Sequence, residues 1–183
     1  MTAGGPAPAS PPAGSASRPP PTRHWLVFAG LTAAIVAVDQ AAKAWITGNL
    51  SLGEIVPVVG DLLRITYSAN NGAIFGLFRD QALLFALVSI VVLGLIVWFE
   101  SRAGSSLLIT IALGLLLGGA IGNLIDRLRL GYVVDWVDMG IGDWRFYTYN
   151  VADAAISTAL FLLILSAVLP LWRPAAATRG SDA

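Results

Sequence analysis

The residues best suited to chemistry are four aspartates in one short stretch, GYVVDWVDMGIGDWRFYTYNVAD, at residues 131–153. Two carboxylates held close together cannot easily both ionise, so they share a proton and can act as acid and base in hydrolysis. Asp135 lies among apolar neighbours, where burial would raise its pKa. Asp153 follows Asn150 at the spacing of a helix N-cap and its N3 residue, where the helix N-terminus favours an anion. Both also have a plain structural interpretation, Asp153 as a cap and Asp135 as a loop residue beside lipid headgroups.

The other two aspartates, Asp138 and Asp143, flank a Gly-Ile-Gly run. The string GIGD resembles the signature of presenilin-type intramembrane proteases, but there it lies within an apolar helix and has a Tyr-Asp partner on the preceding span. Here it lies between Asp138 and Arg145, and no preceding apolar stretch carries Tyr-Asp. Loop-turn glycines with a solvated Asp are the favoured interpretation, and Asp138 and Asp143 are both expected to lie in a loop.

The composition excludes several other kinds of site. The chain has no cysteine, so disulfides, thiolate metal sites and a cysteine nucleophile are ruled out. Its one histidine, His24, lies at the edge of a Pro/Ala-rich tail, which disfavours Ser-His-Asp catalysis and histidine metal sites. The net charge of zero gives no reason to expect a nucleic-acid partner. We therefore expect no metal and no cofactor.

The elements that position these residues are predicted to be membrane helices. The chain is 56% hydrophobic, and four apolar stretches each approach the roughly 20 residues that cross a bilayer as a helix. The predicted fold is thus an all-α membrane protein with four transmembrane helices, at residues 25–46, 82–99, 107–125 and 154–172. Residues 1–24 are expected to form a disordered tail, and residues 173–183 a short C-terminal tail.

Two long connections, residues 47–81 and 126–153, fall on the same side of the membrane when four spans alternate. The run PVVGDLLRITY, residues 57–67, holds two short β-like segments around a Gly-Asp turn, which predicts a small β-rich element. Arg18 and Arg23 before the first helix favour cytoplasmic N- and C-termini and an extracytoplasmic β-rich element, although Arg127 and Arg129 point the other way.

Polar residues also mark the ends of the first and third predicted helices. Asp39 and Lys43 have i,i+4 spacing and can form an ion pair. Three glycines spaced by four, at positions 114, 118 and 122, allow close helix packing. Asn123 and Asp126 share a helix face, and a structural role is favoured for Asp126, with Arg127 or Arg129 as its partner.

Five blocks in order resemble the lipoprotein signal peptidase (signal peptidase II) family over about residues 25–172. They are Asp39-x-x-x-Lys43, Asn70-x-Gly72-Ala73-x-Phe75, Gly118-Gly119-Ala120-x-Gly122-Asn123-x-x-Asp126-Arg127, Val133-Val134-Asp135 and Asn150-x-Ala152-Asp153.

The resemblance implies an aspartyl endopeptidase of the bacterial plasma membrane. It would remove the signal peptide from a diacylglyceryl-modified prolipoprotein by cutting just before the lipidated cysteine. Asp135 and Asp153 match the catalytic pair. Positions that support the site or contact substrate are matched by Asp39, Lys43, Asn70, Gly72, Asn123, Asp126, Arg127 and Asn150. Membrane lipid is the other expected partner, and nothing demands more than a monomer.

Two non-enzymatic alternatives stay open at this point. A small carrier could use Asp39, Lys43, Asp126 and Asp153 as an ion or proton relay. A passive lipid-binding scaffold could use the glycines of the third helix as a packing face. Neither accounts for polar residues that gather at one membrane surface.

Overall fold

The structure is a computed structural model that describes residues 21–71, 82–102 and 106–169. The chain order is α1 (Thr22–Asn49), β1 (Ile55–Val59), β2 (Leu63–Asn70), α2 (Ala82–Arg102), α3 (Leu107–Leu130), β3 (Val133–Ile141), β4 (Trp144–Arg145) and α4 (Val151–Val168). Residues 1–20 of the predicted N-terminal tail, the whole of the predicted C-terminal tail and Gly72 of the predicted site lie outside the described residues.

Three of the helices, α1, α3 and α4, are long and apolar enough to cross a membrane, with mean hydropathies of 1.6, 2.1 and 2.1. Helix α3 is the central one, because α1, α2 and α4 all pack against it. Its apolar window is 56% buried within the protein, whereas those of α1 and α4 are only 17% buried. The outer helices therefore present apolar side chains to their surroundings, as expected of a membrane protein.

The helix ends differ from the sequence prediction, and local capping explains where α3 and α4 begin and end. Helix α1 begins at Thr22, three residues before the predicted start. Helix α3 continues past residue 125 to Leu130, where Gly131 takes the left-handed conformation at φ 79° and its N–H donates to Arg127 O. Helix α4 begins at Val151, after the cap residue Asn150. The prediction stopped at the first charges, but the helical hydrogen bonds continue through them.

The glycine face of α3 allows two neighbouring helices to approach closely, which confirms the predicted packing role. A Cβ at Gly118 would lie 2.8 Å from Ile35 Cβ of α1. A Cβ at Gly119 would lie 2.5 Å from the carbonyl oxygen of Ala152, in the first turn of α4. Side chains on the two neighbours are thereby brought to the same end of α3.

The strands form one antiparallel sheet in the order β1-β2-β3-β4. This confirms the predicted β-rich element at residues 57–67, but the prediction that Asp135 and Asp138 lie in a loop was wrong. Asp135 lies in β3, opposite Ser68 of β2, next to an irregularity between Ile65 and Ser68. Carboxylates occupy buried positions of this strand, so the usual alternation of apolar and polar residues is missing from its sequence.

Asp138 was predicted to be a loop residue, and the structure shows instead that it is a buried, doubly paired residue of β3. Its Oδ2 lies 2.6 Å from Arg64 Nη2 of β2, and its Oδ1 lies 2.7 Å from Arg145 Nε of β4. Burial alone would raise the pKa of Asp138, but the hydrogen bonds and charges of the two guanidinium groups outweigh it and hold that pKa below its ordinary value. Asp143 lies exposed in the β3–β4 turn, as predicted.

Near the starts of α1 and α3 lies a small buried polar group, here called the His24 cluster. It consists of His24, Glu100 and Thr110, each at most 4% exposed. The Thr110 hydroxyl lies 3.3 Å from His24 Nδ1 and donates to Glu100 Oε1 at 3.0 Å. The sequence placed His24 at the edge of a disordered tail, because the helix partners that bury it are 76 and 86 positions away.

Candidate active site

Lys43 of α1 lies at the centre of a second buried polar group, near the ends of α1 and α3. Its ammonium is 2.9 Å from Asp39 Oδ2, which confirms the predicted i,i+4 pair. It also lies 2.8 Å from Asp126 Oδ2 and donates to Asn123 Oδ1 at 3.0 Å. An ammonium has three donors, and here each has an acceptor although the side chain is only 3% exposed.

Asp126 joins the end of α3 to the sheet. The sequence predicted a structural role with an arginine partner; the structure gives it Lys43 as a cation partner. Its Oδ2 also accepts from the backbone N–H of Val134, next to Asp135, at 3.0 Å. Its Oδ1 accepts from Gln40 Nε2 at 3.0 Å. Arg127, the predicted partner, donates from Nη1 to the backbone oxygen of Asn123 at 3.3 Å.

Gln40 is a site residue that the sequence reasoning missed. Its amide nitrogen also approaches Asp39 Oδ2 and Gly122 O, each at 3.2 Å. It lies three residues before Lys43, on the same helix face, so the helical spacing of polar residues could have found it.

The N-terminus of α4 is closed by the capping box that the sequence predicted. The Asn150 side chain accepts from Asp153 N at 2.9 Å, and Asp153 Oδ2 accepts from Asn150 N at 3.3 Å. A further N–H of this first turn, that of Ala152, donates to Asp39 Oδ1 at 3.0 Å. Three backbone donors that a helix start leaves without partners are thus satisfied by side chains of the site.

Asp135 is buried in β3, at 1% exposure, and it accepts two amide hydrogen bonds. Asn150 Nδ2 donates to its Oδ1 at 2.8 Å, and Asn70 Nδ2 donates to its Oδ2 at 3.0 Å. Burial and the negative charge of Asp153 raise the pKa of Asp135 to about 7, although the two amides and Lys43 oppose the shift. This carboxyl is therefore able to hold a proton near neutral pH.

Asp153 differs from Asp135 because it is partly exposed. Its Oδ1 accepts from Asn123 Nδ2 at 2.8 Å, and Asn123 Oδ1 in turn accepts from Asn150 Nδ2 at 3.2 Å. The side chain of Asn150 thus contacts Asp135 while its backbone N–H contacts Asp153. The structure brings the two aspartates into one hydrogen-bonded network, although they are 18 residues apart in sequence.

This network is here called the dyad cluster, and all but one of the predicted site residues lie in it or beside it. Its members are Asp39, Gln40, Lys43, Asn123, Asp126, Asp135, Asn150 and Asp153, with Asn70 and Arg127 bound to it. Gly72, the exception, lies outside the described residues. Within residues 21–71, 82–102 and 106–169, no group of three or more His, Asp or Glu side chains could hold a metal ion.

Comparison with known proteins identifies the family. The family model described as signal peptidase (SPase) II matches residues 31–169, which include the whole dyad cluster. The chain belongs to the signal peptidase II family. A lipoprotein signal peptidase of Coxiella burnetii is 40% identical over 150 residues, covering 79% of this chain and 90% of the relative. That of Geobacillus thermodenitrificans is 38% identical over 141 residues, covering 76% and 88%.

A solved structure has the same fold as this signal peptidase II chain. It is that of a bacterial membrane enzyme, determined by the in meso method at 2.3 Å resolution. The two share a TM-score of 0.73 and 31% identity, with 80% of this chain and 87% of the other covered. The membrane-protein fold and the peptidase family are therefore shown by independent comparisons.

Proposed function

We propose that this chain is a membrane aspartyl endopeptidase that removes the signal peptide from diacylglyceryl-modified prolipoproteins, cutting just before the lipidated cysteine. Membership of the signal peptidase II family and relatives that are lipoprotein signal peptidases support the substrate class. The observation that carries the aspartyl chemistry is the bridge through Asn150. Its side chain contacts Asp135 at 2.8 Å and its backbone contacts Asp153 at 3.3 Å.

In this proposal Asp153 is the base and Asp135 is the acid. Asp153 lies at a helix N-terminus, which stabilises its anion, and it is the member of the pair that solvent reaches. Asp135 is buried and its pKa is raised to about 7, so it holds the shared proton. Asp153 removes a proton from water while the oxygen of that water bonds to the scissile carbonyl carbon. Asp135 donates its proton to the carbonyl oxygen.

Collapse of the resulting tetrahedral diol completes the reaction. Asp153 gives its proton to the cysteine nitrogen as the C–N bond breaks, and Asp135 recovers a proton from the diol hydroxyl. The products are a carboxylic acid at the end of the signal peptide and a free amine on the lipidated cysteine. The three amides of Asn70, Asn123 and Asn150 hold the carboxylates in place throughout, so little reorganisation is needed during the reaction.

The membrane arrangement that we propose has four spans. Helix α2 is 21 residues long and apolar over most of its length, so it joins α1, α3 and α4 as the fourth span. The sheet and the dyad cluster lie at the same end of α1 and α3. We place that end at the extracytoplasmic surface of a bacterial plasma membrane, with cytoplasmic termini and a single chain as the working unit. A lipidated substrate could then reach the site from within the bilayer, while water enters from outside.

A carrier is less consistent with the distribution of polar residues. An ion or proton relay would need polar groups through the full depth of the span. Between the dyad cluster and the His24 cluster, the described residues form an apolar core that includes Phe28, Ile96, Leu113 and Leu117. A core of this kind is unfavourable for a continuous relay of polar groups.

The decisive experiment uses the purified full chain and one precursor in two forms, with and without the diacylglyceryl group. We expect cleavage of the modified form, with a product whose mass begins at the lipidated cysteine. The unmodified form should be cleaved more than about 100-fold more slowly, because binding energy from the acyl chains is used in the transition state. Equal turnover of both forms would refute the lipid specificity. If neither form is cleaved and the chain instead conducts protons in liposomes, the carrier is correct.

A further inference from the structure

A groove of about 650 Å³ lies on the sheet, outside the dyad cluster, and no step of the proposed reaction uses it. It is here called the sheet groove, and the residues that matter for its chemistry are Thr66, Ser68, Asp138, Phe146, Tyr147 and Thr148. Its volume lies in the range of about 300–1,000 Å³ that is typical of ligand pockets.

The sheet groove lies next to the segments that carry the dyad cluster, on both sides of the sheet pairing. On one side, Ser68 pairs directly with Asp135 across the β2–β3 ladder, and two residues later Asn70 donates to the same carboxylate. On the other side, Thr148 lies two residues before Asn150, which contacts both aspartates. The groove therefore borders the strand that carries Asp135 and the segment that leads to Asn150.

The lining of the groove suits a neutral peptide. Its charged side chains, Asp138 and Arg145, are already paired with each other at 2.7 Å, so it offers no uncompensated charge to an ionic headgroup. The lining also includes the uncharged polar residues Thr66, Ser68 and Thr148, and the aromatic residues Phe146 and Tyr147, which are 68% and 60% exposed. Aromatic rings that stay this exposed on a sheet are well placed to cover a bound segment.

The sheet edge is a less suitable place for the same segment. The edge strand β1 contains Pro57, which has no N–H to donate, and its pairing with β2 is irregular between Pro57 and Val59. An added strand would therefore meet an interrupted row of hydrogen-bonding groups.

We propose that the sheet groove binds the segment of the precursor that directly follows the lipidated cysteine, in extended form. This inference rests on the proposed function and deepens it, because it assigns a subsite to the part of the substrate on the far side of the cut. The groove makes the enzyme prefer precursors in which several neutral residues directly follow the lipidated cysteine.

The test compares two lipopeptides that share the signal peptide and the lipidated cysteine. The short one ends at the cysteine as an amide, and the long one continues with several neutral residues. We expect wild type to cleave the long form with a kcat/KM about tenfold higher, since contacts to one or two aromatic side chains commonly contribute this much. In the double variant Phe146→Ala/Tyr147→Ala, this long-to-short ratio should fall to near one.

The matched control is Trp144→Ala, which removes a 90% exposed aromatic residue of the same sheet that does not line the groove. This variant should keep the wild-type ratio. A ratio that survives in the double variant, or that is already one in wild type, overturns the groove proposal while the proposed function stands. Failure of wild type to cleave either form would instead refute the proposed function.

A second measurement reports on binding without turnover. The uncleaving variant Asp153→Asn is mixed with a long lipopeptide that carries a photoreactive residue shortly after the cysteine, and the adduct is located by mass spectrometry. Attachment to residues 66–69 or 146–148 is expected. Attachment only to membrane-spanning helices or to lipid would overturn the assignment, the latter indicating a lipid chain as the natural occupant.

Discussion

The dyad cluster and the His24 cluster lie at opposite ends of the same two helices, α1 and α3. The intervening 15 to 19 residues of α1 separate them by about 25 Å. Both are buried, both are hydrogen bonded, and both join helices that are far apart in sequence. They differ in charge balance and in access to solvent.

The dyad cluster carries a surplus of like charge, and the His24 cluster does not. Lys43 contacts two of its four carboxylates, Asp39 and Asp126, and Asp135 and Asp153 accept hydrogen bonds from amides. The charge of Arg127 also acts on both aspartates, so four carboxylates face two cations. In the His24 cluster a single carboxylate faces a single imidazole through one hydroxyl. Buried polarity alone does not separate the two clusters. A like-charge pair with one partly exposed member does, and such a pair is the reason for proposing catalysis at the dyad cluster.

The largest effect should come from the dyad itself. Replacing Asp135 or Asp153 by Asn keeps the shape and most hydrogen bonds but removes the acid or the base. Cleavage of lipid-modified precursor should fall by about 10³-fold or more in either variant. Asp143→Asn, in the exposed β3–β4 turn, is the control and should cleave at the wild-type rate. Activity within tenfold of wild type in either dyad variant would show that the pair is not catalytic. Loss of activity in the control would instead support a catalytic role for the GIGD motif.

The next largest effect concerns the only lysine in the dyad cluster. Lys43→Met leaves Asp39 and Asp126 buried without their shared cation, which typically costs about 3–5 kcal/mol. The apparent melting temperature in detergent should fall by about 10 °C. In the His24 cluster, Glu100→Gln retains the oxygen that accepts from Thr110, so its melting temperature should fall less and its cleavage rate should stay near wild type. An equal or larger fall for Glu100→Gln would remove the contrast between the two clusters.

The smallest effect is a shift in pH dependence. Activity should decline as the pH rises through about 7, where Asp135 loses the proton that it gives to the substrate. The Asn70 amide stabilises the Asp135 anion, so Asn70→Ala raises the pKa of Asp135 and moves this decline to higher pH. Asn49→Ala, at the exposed end of α1, serves as the control and should leave the profile in place. If activity in Asn70→Ala declines at the same pH as in wild type, or at a lower pH, then deprotonation of Asp135 does not cause the decline.

Much of this site could be read from the sequence wherever partners are near neighbours or follow a helical spacing. The Asp39–Lys43 pair and the Asn150–Asp153 capping box are of this kind, and both were predicted correctly. The double pairing of Asp138 was not predicted, because Arg64 is 74 residues away and only strand register brings it close. The strand around Asp135 was missed for a related reason. Its buried face carries carboxylates that a soluble sheet would expose, so the alternation that predicts a strand is absent.

The close packing of α3 also shows which positions can be engineered. Exchanging glycine for alanine inside a helix commonly stabilises it by about 0.5–1 kcal/mol. At Gly119 and Gly122 the added methyl group would collide with Ala152 and with Asp39, and so would displace the turn that carries Asp153. Gly30 and Gly94 have nothing within 4 Å of an added Cβ. Substituting alanine at Gly30 or Gly94 is therefore expected to stabilise the protein for crystallisation or inhibitor screening without disturbing the dyad cluster.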